Sequence, residues 1–224
     1  MTELWLVRHG QTVGNIQGTW QGWAEGELTP LGEQQAEATA RHLAALDRPF
    51  DVLYSSPLRR AWRTAGAIGR ALGLTPTAHE GLKEICFGKV EGLTLQEFQT
   101  RFPETYQHWT QEGDLSFTWP GGENRQAFHQ RVWQAIEEIV ARHQGQRMLA
   151  VAHGGTLRAV LAHLLPEQFG QWWTYGLNNC GLTCLRLTEG SPQVLLLNDT
   201  RHLGHLIGEE TWIAPNAVSF LGRR

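Results

Sequence analysis

Apolar residues recur along this chain in two periods. Short unbroken runs, Leu4 to Val7, Asp51 to Ser55 ("DVLYS") and Met148 to Ala152, predict strands buried on both faces. Between them the spacing changes to that of helices. Leu58, Ala61, Ala65, Ile68 and Leu72 mark one helical face, and Phe128, Val132, Ile136, Ile139 and Val140 another, which places a long amphipathic helix over Glu123 to His143. Thr29-Pro30 reads as an N-cap followed by proline at the first helical position, opening an alanine-rich helix from Leu31 to Leu46. Ser56-Pro57 repeats that signal ahead of the helix carrying Leu58. A short strand is expected around Thr75 to Ala78, a short helix over Thr94 to Phe102, and a helix from His153-Gly154-Gly155 to Leu165-Pro166. Leu182 to Leu187 and Val194 to Leu197, joined through "TEGSP", read as an antiparallel pair.

Strands that alternate with helices predict an α/β fold, a three-layer α/β/α arrangement about a mostly parallel sheet that the final hairpin makes mixed. The length of 224 residues suits one domain, with an irregular insertion or lid around residues 80 to 122. There Leu115, Phe117 and Trp119 alternate with polar residues, as an edge strand or lid would, and with Trp20 and Trp23 they are candidates for an apolar mouth, although ordinary packing would explain any one of them.

Composition narrows the function. A net charge of -3 gives no basis for a nucleic-acid or membrane partner. No apolar run reaches the roughly 18 residues of a membrane span, and the N-terminus has no export-signal pattern. Cys86, Cys180 and Cys184 lack metal-like spacing and read as reduced thiols of a cytoplasmic protein, Cys180 and Cys184, four apart in or near a strand, pointing to the same face in a core role. His202 and His205 stand three apart, as some zinc ligands do, but no further ligands accompany them. No metal and no cofactor is expected.

Two histidines occupy equivalent places. His9 follows the strand "LWLV" and precedes Gly10, and His153 follows "MLAVA" and precedes Gly154. In a parallel sheet both rings would stand beyond the carboxyl ends of their strands, where such folds bind ligands. Arg8 and Arg60 add positive charge at the same edge, and a guanidinium fork matches phosphate oxygens in pairs.

These residues lie in motifs that resemble the histidine phosphatase superfamily, also called phosphoglycerate-mutase-like. The motifs are "LVRHGQTVGN" at 6–15, "QGWAEGELTPLG" at 21–32, "SSPLRRAWRTA" at 55–65, "LKEICFGKVEG" at 82–92, "PGGEN" at 120–124 and "VAHGG" at 151–155, in the family's order and over nearly the whole chain. The resemblance implies the phosphoglycerate-mutase-like fold and a metal-independent phosphomonoesterase for small phosphorylated metabolites. By position, His9 resembles the nucleophile that becomes phosphohistidine. Arg8, Arg60 and His153 resemble the phosphate pocket, Glu84 the acid and base, and Gly10, Gln11, Asn15, Gln21, Gly22 and Gly154 residues that meet phosphate or substrate. Neutral His9 would attack phosphorus in line, its other ring nitrogen donating to a backbone carbonyl to fix the tautomer.

The stretch from Leu93 to Trp119 lacks the long proline-rich insertion of glycolytic mutases, so the motifs look more like the phosphatase branch. Val90 departs from that branch, which often has tryptophan there. A cofactor-dependent phosphoglycerate mutase and a catalytically silent phosphate-binding module are the alternatives. A homodimer is compatible with an exposed edge strand, and the tail from Thr211 to Arg224 carries no interpretable motif.

Overall fold

The computed structural model describes residues 1–110, 115–165, 176–188 and 192–208. Six strands form one sheet: β1 (Thr2–Arg8), β2 (Val52–Ser55), β3 (Thr77–Ala78), β4 (Arg147–Ala152), β5 (Leu182–Leu187) and β6 (Gln193–Asp199), in the order β3-β2-β4-β1-β5-β6. The first four are mutually parallel where they pair, and β5 and β6 run antiparallel, so the sheet is mixed as expected. The tail from Thr211 and the centre of "TEGSP" lie outside the described residues, as does part of the expected lid.

Side chains of the central strands alternate between two apolar layers, as the two-residue period of a strand requires. Leu4, Leu6, Tyr54, Met148 and Ala150 enter one core with Phe128, Ile136 and Leu161. Trp5, Val7, Leu53, Leu149 and Val151 enter the other with Leu43, Ala65 and Ile68. The first layer is covered by α6 (Arg125–Arg142) and α7 (Gly154–Leu164), and the second by α2 (Pro30–Ala44) and α3 (Arg59–Leu72), whose chain position follows the five-residue α1 (Val13–Gln17). Cys184 lies on β5 in the second core layer, whereas Cys180 precedes the strand and is buried in a separate cluster with Ala36, Ala67 and Leu203, so the two do not share a strand face. Burial pushes both thiols up to about 12, and neither is a reactive thiolate at neutral pH.

Helix ends follow the capping rules in most places. Thr29 accepts the Gly32 N–H with Pro30 at N1, Thr94 forms a capping box with Glu97 ahead of α4 (Leu95–Arg101), and Asn124 accepts the Ala127 N–H of α6. The expectation for Ser56-Pro57 is corrected. The N-cap of α3 is Leu58, which makes no side-chain cap bond, and Ser56 Oγ serves a histidine described below. Glu25 takes over part of the capping, its Oε2 accepting the Arg59 N–H at 3.0 Å.

Residues 80 to 110 hold more structure than the sequence suggests. Two 3₁₀ turns, Glu80–Leu82 and Gly88–Val90, precede α4, and α5 (Pro103–Trp109) follows it. The apolar-mouth expectation is also corrected for Trp20, Phe117 and Trp119. Phe117 is 1% exposed and Trp119 2% exposed, and both join Trp20, Phe87, Phe98 and Trp109 in a cluster of edge-to-face and tilted rings. These aromatics anchor the segment to the core. Leu115 and Trp23 do stand exposed.

Candidate active site

The strand register builds the site. β1 pairs with β4 up to Arg8↔Ala152, and β2 pairs with β4 up to Ser55↔Val151. The ladder extends one step further: the His9 N–H donates to the Ala152 carbonyl at 3.0 Å and the Ser56 N–H to the Val151 carbonyl at 2.9 Å. His9, Ser56 and His153 therefore leave the sheet side by side. The two imidazole rings lie 5.2 Å apart, both buried.

His9 Nδ1 is 2.7 Å from the Gly10 carbonyl. A carbonyl only accepts, so Nδ1 carries the proton and Nε2 keeps the lone pair, the tautomer that the nucleophilic role requires. Burial, then the charges of Arg60 and Arg8, hold the His9 pKa well below the usual histidine range, so the ring is neutral. His153 is held low by burial, Arg60, His9 and Arg8.

Arg60 is 1% exposed. Its NH1 donates to the Ala24 carbonyl at 3.0 Å and its NH2 to the Gly22 carbonyl at 2.6 Å, which fixes the plane of the guanidinium, while Nε is buried with no partner among the described residues. Burial pulls its pKa down to about 10, against the opposing pull of Glu84, Glu25 and Glu91, and at that value the group is still a cation at neutral pH. Arg8 NH1 donates to the Leu177 carbonyl, and the Arg8 carbonyl accepts the Cys180 N–H. Two guanidiniums thus surround two neutral rings, an arrangement that favours an anion.

Glu84 reaches the same edge from the loop after the first 3₁₀ turn. Its Oε2 accepts the Gly155 N–H at 2.9 Å in the first turn of α7, and its Oε1 accepts the Ile85 N–H at 2.9 Å. Its backbone carbonyl accepts from Trp23 Nε1 at 2.8 Å and from Arg131 NH2 at 3.2 Å. Arg131 also holds the Gly81 and Lys83 carbonyls and forms an ion pair with Glu123 of "PGGEN", whose Oε2 accepts the Cys86 N–H. Arg131 and Glu123 set this loop, and so does Trp23, a candidate for an apolar mouth in the sequence, whose ring is capped by Lys83 at 4.4 Å.

The second glycine of "VAHGG" has a steric reason. A Cβ on Gly155 would lie 2.3 Å from Glu84 Oε1, the tip of a flexible side chain. Gly155→Ala is therefore expected to fold normally, helped by alanine's higher helix propensity, yet to drive the carboxylate from its berth. The expected outcome is an unchanged or higher melting temperature with kcat reduced about tenfold or more. Differential scanning fluorimetry beside steady-state kinetics checks it, and full activity would show that Glu84 needs no fixed seat.

The remaining residues divide. Gly10 is needed for close approach: its N–H donates to Thr64 Oγ1 at 3.0 Å, and a Cβ there would meet the Gly32 carbonyl oxygen at 2.5 Å. Gly22, at φ 49°, orients Arg60 through its carbonyl. Gly154 lies beside Arg8, whose Nε would be 3.6 Å from an added Cβ. Gln11 turns away from the expected role: it is buried, with its Oε1 accepting from the Thr29 hydroxyl at 2.9 Å. Thr12 caps α1, Asn15 closes the capping box by accepting the Thr12 N–H at 3.0 Å, and Gln21 Oε1 accepts from the Thr12 hydroxyl, so Asn15 and Gln21 brace the first loop. Asn179 lies outside every motif of the sequence. Its Nδ2 donates to the His9 carbonyl at 2.8 Å and ties the nucleophile's loop to the segment before β5. His202 bonds to Thr39 and stacks on His42, a packing role.

Residues 4–200 match the sequence model of the histidine phosphatase superfamily, branch 1. The chain belongs to that superfamily. Among histidine phosphatase relatives, phosphoserine phosphatase 1 of Hydrogenobacter thermophilus is 32% identical over 93% of this chain and 98% of its own. A 2,3-bisphosphoglycerate-dependent phosphoglycerate mutase of Azorhizobium caulinodans is 37% identical over 72% of this chain and 82% of its own. The crystal structure of phosphoserine phosphatase from Entamoeba histolytica, in complex with 3-phosphoglyceric acid, superposes with a TM-score of 0.79 at 31% identity, covering 91% of this chain and all of that one. The superfamily fold thus accounts for nearly the whole chain.

Proposed function

We propose that this protein is a metal-independent phosphomonoesterase acting on small phosphorylated metabolites through a phosphohistidine on His9. The observation that carries the proposal is the neutral His9 ring, its Nδ1 committed to the Gly10 carbonyl, set between His153 and two guanidiniums.

The chemistry follows from those groups. Arg8, Arg60 and His153 hold the non-reacting phosphoryl oxygens, so charge is met by dipoles and cations already in place. His9 Nε2 donates its lone pair to phosphorus as the P–O ester bond breaks, and that bond's electron pair goes to the leaving oxygen, which takes a proton from Glu84 in its carboxylic-acid form, leaving the carboxylate that serves as base in the next step. Water then attacks the phosphohistidine, Glu84 takes a proton from it, the P–N bond breaks back to the imidazole, and inorganic phosphate leaves. Gly22, Gly10 and Gly154 bring backbone close to the bound group, while Asn15, Gln21 and Gln11 act through the loop they brace.

Phosphoserine and 3-phosphoglycerate are the first substrates to try, given what the relatives are named for and bind. Phosphate release across a panel of phosphorylated metabolites, in the presence of a chelator, tests the proposal, and release from at least one small monoester is the expected result. The mutase relative supports a second reading, phosphoryl transfer back to a bound product. Rapid isomerisation of 3-phosphoglycerate in the presence of 2,3-bisphosphoglycerate, with no phosphate set free, would establish it in place of the first. The same proposal includes a cytoplasmic setting, in keeping with three free cysteines, and self-pairing through the edge strand β6.

A further inference from the structure

Ser56, which the sequence presents as a helix cap, is bonded to the second histidine of the site. Its Oγ lies 2.8 Å from His153 Nε2 and also accepts the Leu58 N–H at 3.3 Å. Both Ser56 and His153 are fully buried. The other ring nitrogen of His153, Nδ1, is buried and has no hydrogen-bond partner among the described residues.

A neutral imidazole carries one proton, and its position changes what the ring can do. If the proton sat on Nε2 it would be donated to Ser56. The serine hydroxyl, already accepting from Leu58, would then accept twice and have no acceptor for its own hydrogen among the contacts the structure gives it. Nδ1 would be a buried bare lone pair, able only to repel the oxygens of an anion held by Arg8 and Arg60. That arrangement leaves two buried polar groups unsatisfied and repels the ligand. If the proton sits on Nδ1, the serine hydrogen goes to Nε2 and every contact of Ser56 is used. A single group then remains unsatisfied, a buried N–H donor on a ring that feels the charges of Arg60 and Arg8, and a phosphoryl oxygen would satisfy it.

We infer that Ser56 is a positioning residue that sets the tautomer of His153, so that Nδ1–H donates to the phosphoryl group. The two histidines of the site are thereby oppositely committed. His9 donates outward from Nδ1 to a carbonyl and keeps Nε2 as the nucleophile, while His153 receives at Nε2 and keeps Nδ1 as a donor. Burial and the neighbouring guanidinium of Arg60 keep His153 singly protonated, which makes the choice of nitrogen matter.

The inference rests on the phosphatase proposal for its purpose, but the tautomer can be read without turnover. Nitrogen-15 histidine labelling with long-range proton–nitrogen correlation distinguishes protonated from bare ring nitrogens, and His153→Gln assigns the signal. The expected spectrum of the wild-type protein has His153 protonated at Nδ1, with and without inorganic phosphate. Ser56→Ala is expected to move the proton to Nε2, fully or in part, to lower kcat roughly tenfold to a hundredfold, and to weaken inhibition by inorganic phosphate. Ser56→Thr, which keeps the hydroxyl, is expected to restore the tautomer and most of kcat. A wild-type His153 protonated at Nε2 would overturn the inference, and that spectrum decides the matter even where Ser56→Ala does not fold. An unaltered ring pattern in a folded Ser56→Ala would overturn it as well. An inactive wild-type enzyme with the expected spectrum would instead sink the phosphatase proposal and leave the tautomer assignment standing.

Discussion

His9→Ala is expected to abolish phosphate release, lowering kcat by roughly 10⁴-fold or more. The imidazole supplies the lone pair for the first bond to phosphorus, and neither water nor His153 can take its place. His153 has its own Nε2 tied to Ser56, and its ring is displaced by 5.2 Å. Folding should survive, because the ladder bond from the His9 N–H to Ala152 belongs to the backbone, as does the Asn179 bond to the His9 carbonyl. Arg8, Arg60 and His153 remain, so inorganic phosphate is still expected to bind. Phosphate release and radiolabel incorporation check this together. Wild type should carry acid-labile label during turnover and the variant none, at similar melting temperatures. Label retained in His9→Ala would point to a different nucleophile, and activity retained without label would end the covalent scheme.

Glu84→Gln should separate the two half-reactions. An alkyl phosphate expels a strongly basic alkoxide, so losing the proton donor should slow P–O cleavage by about 10²- to 10⁴-fold. An aryl phosphate such as p-nitrophenyl phosphate expels a stabilised phenolate that needs no proton, and its first step should be nearly intact. The second step needs a base for water with either substrate. Rapid mixing is therefore expected to show a burst of nitrophenolate in Glu84→Gln followed by slow turnover, and no burst of alcohol from an alkyl substrate. The substitution also changes contacts. The carboxylate accepts one N–H on each oxygen, from Gly155 and Ile85, whereas glutamine has one oxygen to offer and sets an NH₂ against the other donor. Some loss of positioning should therefore be common to both substrates. Equal loss of the first step for both leaving groups would assign Glu84 to binding alone.

The parts of the fold visible in the sequence are those whose signal is local and periodic. β1, β2 and β4 are short apolar runs because both faces are covered, and α2, α3 and α6 each show an apolar stripe. The helix α1 escapes notice because Val13 and Ile16 point to solvent, so no stripe exists, and its cap is a polar pair inside the nucleophile's loop. α5 starts at Pro103 without a Ser, Thr or Asp cap before it. Ser56 is misread for a different reason. Capping a helix and bonding a histidine call for the same hydroxyl, and the deciding partner lies 97 residues away. Trp20, Phe117 and Trp119 pose the same difficulty in apolar form, since a pocket wall and a core use identical residues and burial alone tells them apart.

At the site, the two strand–His–Gly units and Arg60 are legible because the parallel register turns equal strand ends into spatial neighbours. Gln11 is not, because its position in the motif does not reveal that its side chain folds back on Thr29. Gly155 and Arg131 are not either, because their work is to hold Glu84 and its loop across the fold.

The strands that deliver His9, Ser56 and His153 are β1, β2 and β4, which neighbour one another in the interior of the sheet, with β3 outside them on one flank and β5 and β6 on the other. Segments of that kind open only when the whole domain melts, since their amides exchange by global rather than local unfolding. His9, Ser56 and His153 thus rest on the part of the sheet expected to open last, so fraying of the outer strands would leave them in place, whereas Glu84 depends on a loop held from outside the sheet by Trp23 and Arg131.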